Sequence, residues 1–185
     1  MGQYTNKGLY NSYDKNNRER EALDFYSTPT EEVYNILKTL NINFNNTTIL
    51  EPCVGAGHMA LGIEKYLQEK ESFGVSLIGT DIQDRGFENN NWELETGLDF
   101  FADDYPYNKA DWIIMNPPYS VIEPFVIRSL EIAEKGIIML ARLQFLEGAG
   151  RYEKILKETP PTDVYVYVDR IKCWKNGIKP EGSSA

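Results

Sequence analysis

Short apolar segments alternate with amphipathic stretches along most of this chain of 185 residues. Helical spacing of apolar residues precedes the first of these segments and recurs between later ones. Strands that alternate with helices predict crossover connections and a mostly parallel twisted sheet with helices on both faces, hence one α/β domain. The segments with the length of buried strands are Thr47 to Leu50, Val75 to Thr80, Trp112 to Met115 and Ile137 to Ala141.

The limits of the domain follow from where this pattern begins and ends. Residues 1–23 are rich in Asn, Tyr and charge without an apolar period, so we expect a flexible arm before a domain at 24–185. The spacing Thr28-Pro29-Thr30-Glu31 resembles a capping box and predicts a helix to Leu40, with Pro29 as its first residue. Ser120 and Glu123 predict the start of a later helix, which Gly136 closes. Val164 to Val168 alternates Val and Tyr and predicts a further strand.

Composition excludes several classes of protein and site. No apolar run approaches the roughly 20 residues of a membrane helix, and the polar start lacks a signal-peptide core. We therefore expect a cytoplasmic protein without a membrane partner. Two cysteines, Cys53 and Cys173, and one histidine, His58, predict neither a disulfide framework nor a metal site.

The net charge of −9 is unevenly distributed. Residues 1–141 carry a balance of −11, whereas residues 142–180 carry +3. A surface that binds a polyanion such as DNA would therefore lie late in the chain, although the same residues fit solvated surface charge equally well. The basic candidates are Arg142, Arg151, Lys154, Lys157, Arg170, Lys172, Lys175 and Lys179.

A glycine-rich turn joins the first strand to the next helix. Gly55-Ala56-Gly57 permits close approach of backbone to a ligand, and Asp81 ends the following strand, where nucleoside-binding sheets place a carboxylate for ribose hydroxyls. Taken singly, the glycines fit a tight turn and Asp81 fits a strand cap. The dinucleotide fingerprint is incomplete, and Glu51 would repel a pyrophosphate. A cationic ligand is the better prediction.

The segment Asn116-Pro117-Pro118-Tyr119 ends the strand at Met115, and by itself it could be only a strand terminator. Together with the motifs above, it resembles the S-adenosylmethionine-dependent methyltransferases that modify amino groups, especially the DNA adenine methyltransferases. The resemblance covers about Asp24 to Asp169. It implies a Rossmann-like class I methyltransferase fold, base flipping, and S-adenosylmethionine as cofactor.

The resemblance also implies a role for individual residues. Asn116 and the Pro117 carbonyl would accept the amino hydrogens of the target base, the two prolines, Pro117 and Pro118, would stiffen this turn, and Tyr119 would stack on the base. Phe145 would close the other side of the base, but it also fits a core position. The cofactor-binding residues implied are Tyr26, Thr28, Pro29, Glu51, Pro52, Gly55, Gly57, Asp81, Ile82, Asp99 and Phe100. The residues expected to contact DNA are Arg142, Arg170, Lys172 and Lys175.

The expected activity is therefore methyl transfer to the 6-amino group of adenine in DNA, by a monomer. Methylation of RNA or of a protein glutamine remains an alternative, because the same signature serves those nitrogens. A non-catalytic nucleic-acid-binding module of the same fold is the other. The family continues into a final antiparallel strand, which we expect this sheet to lack, the chain being either naturally short or a fragment.

Overall fold

A computed structural model of the chain describes residues 26–169 and 171–175, so the predicted N-terminal arm lies outside the described residues. Five strands form one sheet: β2 (Thr48–Glu51), β3 (Ser76–Asp81), β4 (Glu93–Thr96), β5 (Ala110–Met115) and β6 (Ala133–Met139). Their order in the sheet is β4-β3-β2-β5-β6, and all neighbouring pairs are parallel. This confirms the predicted Rossmann-like α/β class.

Helices cover both faces of the sheet, as predicted. Side chains of a strand alternate between faces, and Ile49 and Leu50 of β2 accordingly enter two different cores. Helices α1 (Thr30–Leu40) and α2 (His58–Glu69) pack with Ile49 on one face. Helix α3 (Ile122–Ile132) packs with Leu50 on the other.

Both predicted capping boxes are wrong. Helix α1 begins at Thr30 with Pro29 as its N-cap, and no side chain caps it. The Thr28 hydroxyl accepts a hydrogen bond from another part of the chain instead. A 3₁₀ turn, Tyr119–Val121, precedes α3, which also lacks a side-chain cap.

Gly136 lies inside β6 and does not close a helix. Helix α3 ends at Ile132, and Ala133 is already extended. A Cβ at Gly136 would lie 2.6 Å from Cζ3 of Trp112 on the neighbouring strand. The glycine therefore makes room for a cross-strand aromatic ring, a requirement that helix-ending statistics do not reveal.

The predicted strand at Val164 to Val168 is also wrong, because this segment is irregular. Its valines are exposed, Val168 fully. β-Branched residues favour strands where they pack on a pleated surface beside a partner strand, and no strand of the described chain pairs with this segment.

Two pairings were not predicted. β4 reads Glu-Leu-Glu-Thr and forms an edge of the sheet, where charged side chains are common, so its residues do not predict a strand. The strands β1 (Tyr26–Ser27) and β7 (Trp174–Lys175) form a short antiparallel ribbon between residues far apart in sequence. After β6, a 3₁₀ turn (Leu143–Leu146) leads into a short helical segment, Ala149–Arg151 and Tyr152–Leu156. Within the described ranges, no helix is long and apolar enough to cross a bilayer.

Candidate functional site

The predicted motifs meet where the strand order reverses. From β2 the chain proceeds outward to β3 and β4, then returns to place β5 on the other side of β2. In open α/β sheets the crevice beyond the carboxyl ends of strands at such a switch point is the usual ligand site. Glu51 ends β2, Asp81 ends β3, and Asn116 follows β5. The topology thus brings the predicted carboxylates and the predicted catalytic turn to one edge.

Glu51 is the most unusual group at this edge. Its side chain is 2% exposed, and its Oε2 atom is buried without a hydrogen-bond partner among the described residues. Burial, with a smaller contribution from the nearby Asp81 carboxylate, raises the pKa of Glu51 well above its usual value. A buried carboxylate oxygen without a partner is costly. A cationic donor at this position would relieve that cost.

Asp81 holds the glycine turn in place. Its Oδ2 accepts a hydrogen bond from the backbone N–H of Gly55 at 2.8 Å, and its Oδ1 accepts one from Gln83 at 2.9 Å. Burial raises the pKa of Asp81, and these backbone hydrogen bonds oppose the rise. Each carboxylate oxygen has a second lone pair, so Asp81 can still accept a hydrogen bond from a ligand hydroxyl.

The two glycines of the turn adopt left-handed backbone, with φ of 57° at Gly55 and 77° at Gly57. This region is strained for residues with a Cβ. At Gly57 a Cβ would also overlap the ring of Phe87. The sequence predicts close approach of a ligand at this turn. The structure shows that the Phe87 ring already leaves no room for a side chain at position 57.

Asn116 is bonded through its side-chain nitrogen. Nδ2 donates to the backbone carbonyl of Tyr26 at 3.1 Å and to Oγ1 of Thr28 at 2.9 Å. Burial raises the pKa of the nearby Cys53 thiol well above its usual value, and the backbone of Asn116 opposes that rise. The two hydrogen bonds of the Asn116 side chain were missed, because nothing in the sequence pairs residues 88 or 90 positions apart.

The turn after Asn116 carries an aromatic ring under a cation. Pro117 is buried, and Pro118 and Tyr119 are half-buried. The guanidinium carbon of Arg142, which follows β6, lies 4.4 Å from the centre of the Tyr119 ring. This distance is that of a cation–π contact. The structure thus brings together Tyr119, which was predicted to stack on the base, and Arg142, which was predicted to contact DNA.

The remaining predicted cofactor residues are divided between this edge and the core. Tyr26 and Thr28 lie beside Asn116 through the contacts above, and Pro29 is the N-cap of α1. Pro52 is buried in the turn, and Ile82 is 49% exposed. Asp99 accepts a hydrogen bond from Phe101 N–H at 3.0 Å. Phe100 is buried and stacks on Phe125 of α3, with ring centres 5.0 Å apart. Its ring therefore contributes to the core.

Most described basic side chains late in the chain have partners. Arg151 donates to the carbonyls of Gln144, Phe145 and Glu147 and pairs with Glu123, which also pairs with Lys154. Lys157 pairs with Glu153. Lys172 is exposed, whereas Arg170, Lys179 and the side chain of Lys175 lie outside the described part of the chain. Phe145 is buried in the α3 core beneath Arg151. Through its hydrogen bonds to three carbonyls, Arg151 holds the 143–147 loop in place.

No cluster of three or more His, Cys, Asp or Glu that could hold a metal ion occurs among residues 26–169 and 171–175. His58, the only histidine, begins α2, where burial lowers its pKa. Its ring contacts the edge of Trp174 at 5.2 Å between ring centres.

Comparisons with solved structures find distant likenesses, which assign no activity to this chain. No family model and no curated protein matches the sequence. Among solved structures, a candidate RNA methyltransferase from Pyrococcus horikoshii is 18% identical, with a TM-score of 0.49, over 71% of this chain and 68% of that one. A candidate hemolysin from Streptococcus thermophilus is 14% identical, with a TM-score of 0.49, over 65% of this chain and 46% of that one. A candidate S-adenosylmethionine-dependent methyltransferase from Methanococcus maripaludis is 15% identical, with a TM-score of 0.39, over 86% and 74%.

Proposed function

We propose that this protein is an S-adenosylmethionine-dependent methyltransferase that acts on the 6-amino group of adenine in DNA. The observation that carries the proposal is the orientation of Asn116 at the switch point. Two acceptors hold its side-chain nitrogen, so its side-chain oxygen is the atom left to accept hydrogens from another molecule.

The residues present fit the proposed cofactor. S-Adenosylmethionine supplies a methyl group on a positively charged sulfur, and it also carries an ammonium group and a ribose. The unpartnered oxygen of Glu51 suits a cationic group, and the Asp81 carboxylate retains lone pairs for ribose hydroxyls. The Gly55 to Gly57 turn lies between these two strand ends. We therefore assign Glu51, the glycine turn and Asp81 to the cofactor.

Asn116 and Pro117 would act on the acceptor. The lone pair of an adenine amino nitrogen is delocalised into the ring, which makes the nitrogen a weak nucleophile. Hydrogen bonds from both amino hydrogens to the Asn116 side-chain oxygen and the Pro117 carbonyl would localise that lone pair and stabilise the developing positive charge. Because these two oxygen atoms are held in place beforehand, the methyl transfer would require no strong base.

Tyr119 would hold the adenine ring. A base within a duplex must leave the stack to reach an enclosed site, and aromatic side chains are common platforms for such a base. Tyr119 directly follows Pro117 and Pro118, next to the residues proposed to hold the amino group of the base. Arg142 on the ring would add positive charge beside the phosphate backbone.

Labelled methyl transfer tests the proposal. The full chain is incubated with methyl-labelled S-adenosylmethionine and duplex DNA, and the DNA is digested to nucleosides. We expect the label in 6-methyladenine, and a loss of roughly 100-fold in rate for Asn116→Ala with little change in cofactor affinity. An unlabelled nucleoside pool, or near-native transfer by Asn116→Ala, would contradict the proposal.

A protein glutamine is the second candidate acceptor, and two features of the charge distribution favour it. Arg151, Lys154 and Lys157 are engaged with carboxylates, and the chain has a net charge of −9. Both features reduce the positive surface that phosphate binding normally uses. Offering the same enzyme a glutamine-containing peptide mixture and structured RNA separates these acceptors from DNA.

A further inference from the structure

We infer that Thr28, together with the backbone carbonyl of Tyr26, is a positioning residue that sets the orientation of the Asn116 carboxamide. The inference deepens the proposed function and depends on it for the catalytic consequence. It gives Thr28 a different role from the cofactor contact that the family resemblance implies.

The two contacts fix which end of the amide faces the protein. A backbone carbonyl can only accept a hydrogen bond, so the Asn116 atom 3.1 Å from the Tyr26 oxygen must be the nitrogen. The Thr28 Oγ1 atom takes the second amide hydrogen at 2.9 Å. Rotating the amide by half a turn would set two acceptor oxygens against each other at Tyr26. The Asn116 side-chain oxygen is thereby the amide atom left to bind a methyl-acceptor molecule.

Segment 26–28 is itself anchored on both sides. Tyr26 and Ser27 pair with β7, and the Ser27 hydroxyl donates to the Trp174 carbonyl at 3.5 Å. On the other side, the Thr30 hydroxyl donates to the His58 carbonyl at 3.0 Å, at the start of α2. Ser27 and Thr28 are 5% and 4% exposed. The segment that holds the Asn116 amide is therefore restrained by the β1–β7 ribbon on one side and by helix α2 on the other.

The Thr28 hydroxyl has no competing role as a helix cap. Helix α1 has Pro29 as its N-cap and makes no side-chain capping bond. Replacing the hydroxyl should therefore affect the Asn116 amide without removing a cap from the helix. Valine has nearly the shape of threonine but lacks the oxygen, whereas serine keeps the oxygen.

The test compares Thr28→Val and Thr28→Ser by single-turnover methyl transfer. A misplaced reacting group can cost about 100-fold in rate, and because the Tyr26 carbonyl remains, we expect Thr28→Val to lose about 10- to 100-fold in the chemical rate. Its affinity for S-adenosylmethionine and its melting temperature should stay close to those of the wild type, and Thr28→Ser should restore most of the rate. A native rate in Thr28→Val overturns the inference. A loss of cofactor affinity in Thr28→Val that accounts for its loss of rate, with native affinity in Thr28→Ser, assigns the Thr28 hydroxyl to the cofactor and also overturns the inference.

A second measurement does not require activity. In nitrogen-15 spectra, the side-chain amide protons of Asn116 should exchange slowly with solvent in the wild type and in Thr28→Ser, and at least 10-fold faster in Thr28→Val. Unchanged exchange in Thr28→Val overturns the positioning role. A wild type that transfers no methyl group yet shows the expected exchange pattern overturns the proposed function and leaves the positioning role supported.

Discussion

The guanidinium of Arg142 covers the ring of Tyr119, with 4.4 Å between the guanidinium carbon and the ring centre. The two residues follow neighbouring parallel strands, Tyr119 after β5 and Arg142 after β6. Their contact is therefore a consequence of sheet topology, since the carboxyl ends of parallel neighbours meet at one edge. It links the proposed base platform to a cation that follows the neighbouring strand.

Tyr119→Ala should weaken capture of the acceptor base. A lost aromatic stacking contact costs about 1–3 kcal/mol per base, so we expect a higher KM for DNA, with a smaller defect when the target adenine is mispaired and easier to extrude. Steady-state kinetics on paired and mispaired duplexes measure this. Tyr119→Phe, which keeps the ring, serves as the control. A defect of equal size on both duplexes would argue that Tyr119 has no part in base capture.

Arg142→Ala should weaken the same step through the same ring. Exposed cation–π contacts contribute about 0.5–1 kcal/mol. The loss of DNA affinity in the double variant Arg142→Ala/Tyr119→Ala should therefore differ from the sum of the losses in the two single variants. Strict additivity in this double-mutant cycle would mean that Arg142 acts independently of Tyr119.

Glu51→Gln should abolish a pH dependence of cofactor affinity. Burial and the neighbouring Asp81 raise the pKa of Glu51, so its carboxyl is neutral below that raised value and charged above it. Affinity for a cationic ligand should then rise with pH through the titration of Glu51. Calorimetry across pH should show this rise in the wild type and in Glu88→Gln, an exposed control, but not in Glu51→Gln.

The same group should make the cofactor-free protein less stable as pH rises. Its folded pKa exceeds the unfolded value of about 4.3, so the folded state binds the proton more tightly. The contribution of Glu51 to stability is therefore fully present below the unfolded value and is lost as pH rises through the folded value. Urea denaturation should show a stability gap between Glu51→Gln and wild type that grows with pH. A constant gap would be inconsistent with a buried, unpartnered carboxylate.

The sequence predicted the elements that depend on local pattern. Strands such as Trp112 to Met115 and the helix after Gly57 follow from apolar spacing, and the parallel order follows from their alternation. The edge strand β4 and the β1–β7 ribbon could not be predicted this way, because their pairing partners and not their own residues make them strands. Val164 to Val168 failed for the converse reason, since it has strand-like residues but no described partner strand.

In the candidate site, too, the positions set by the alternation of strands and helices could be predicted, and the contacts between distant residues could not. The end-of-strand positions of Glu51, Asp81 and Asn116 follow from topology and could be predicted. The contacts that give these groups their properties join distant parts of the chain, as Thr28 joins Asn116 and Phe87 covers Gly57. No spacing rule reports such contacts, and the structure was needed to find them.

Asp81→Asn should disturb both the glycine turn and the ligand site. The amide keeps one acceptor oxygen, so only one of the backbone bonds from Gly55 and Gln83 can be kept unchanged. Hydrogen bonds to charged groups contribute about 1.5–3 kcal/mol, and we expect a loss of this order in S-adenosylmethionine affinity by calorimetry. Asp84→Asn, at an exposed position in the following loop, is the matched control. Native affinity in Asp81→Asn would remove this carboxylate from the cofactor site.

Gly57→Ala should destabilise the protein for two separable reasons. An alanine in left-handed backbone costs about 1–2 kcal/mol, and the overlap of its Cβ with the Phe87 ring adds a further overpacking cost of about 1–3 kcal/mol. Gly86→Ala isolates the first part, because Gly86 has a similar φ of 73° and nothing within 4 Å of its Cβ position. Introducing Gly57→Ala into a Phe87→Ala background should likewise cost only the backbone part, since the ring is gone. Urea denaturation of the four variants measures both parts; equal costs for Gly57→Ala with and without Phe87 would show that the ring moves aside freely, and that close packing does not select glycine at this position.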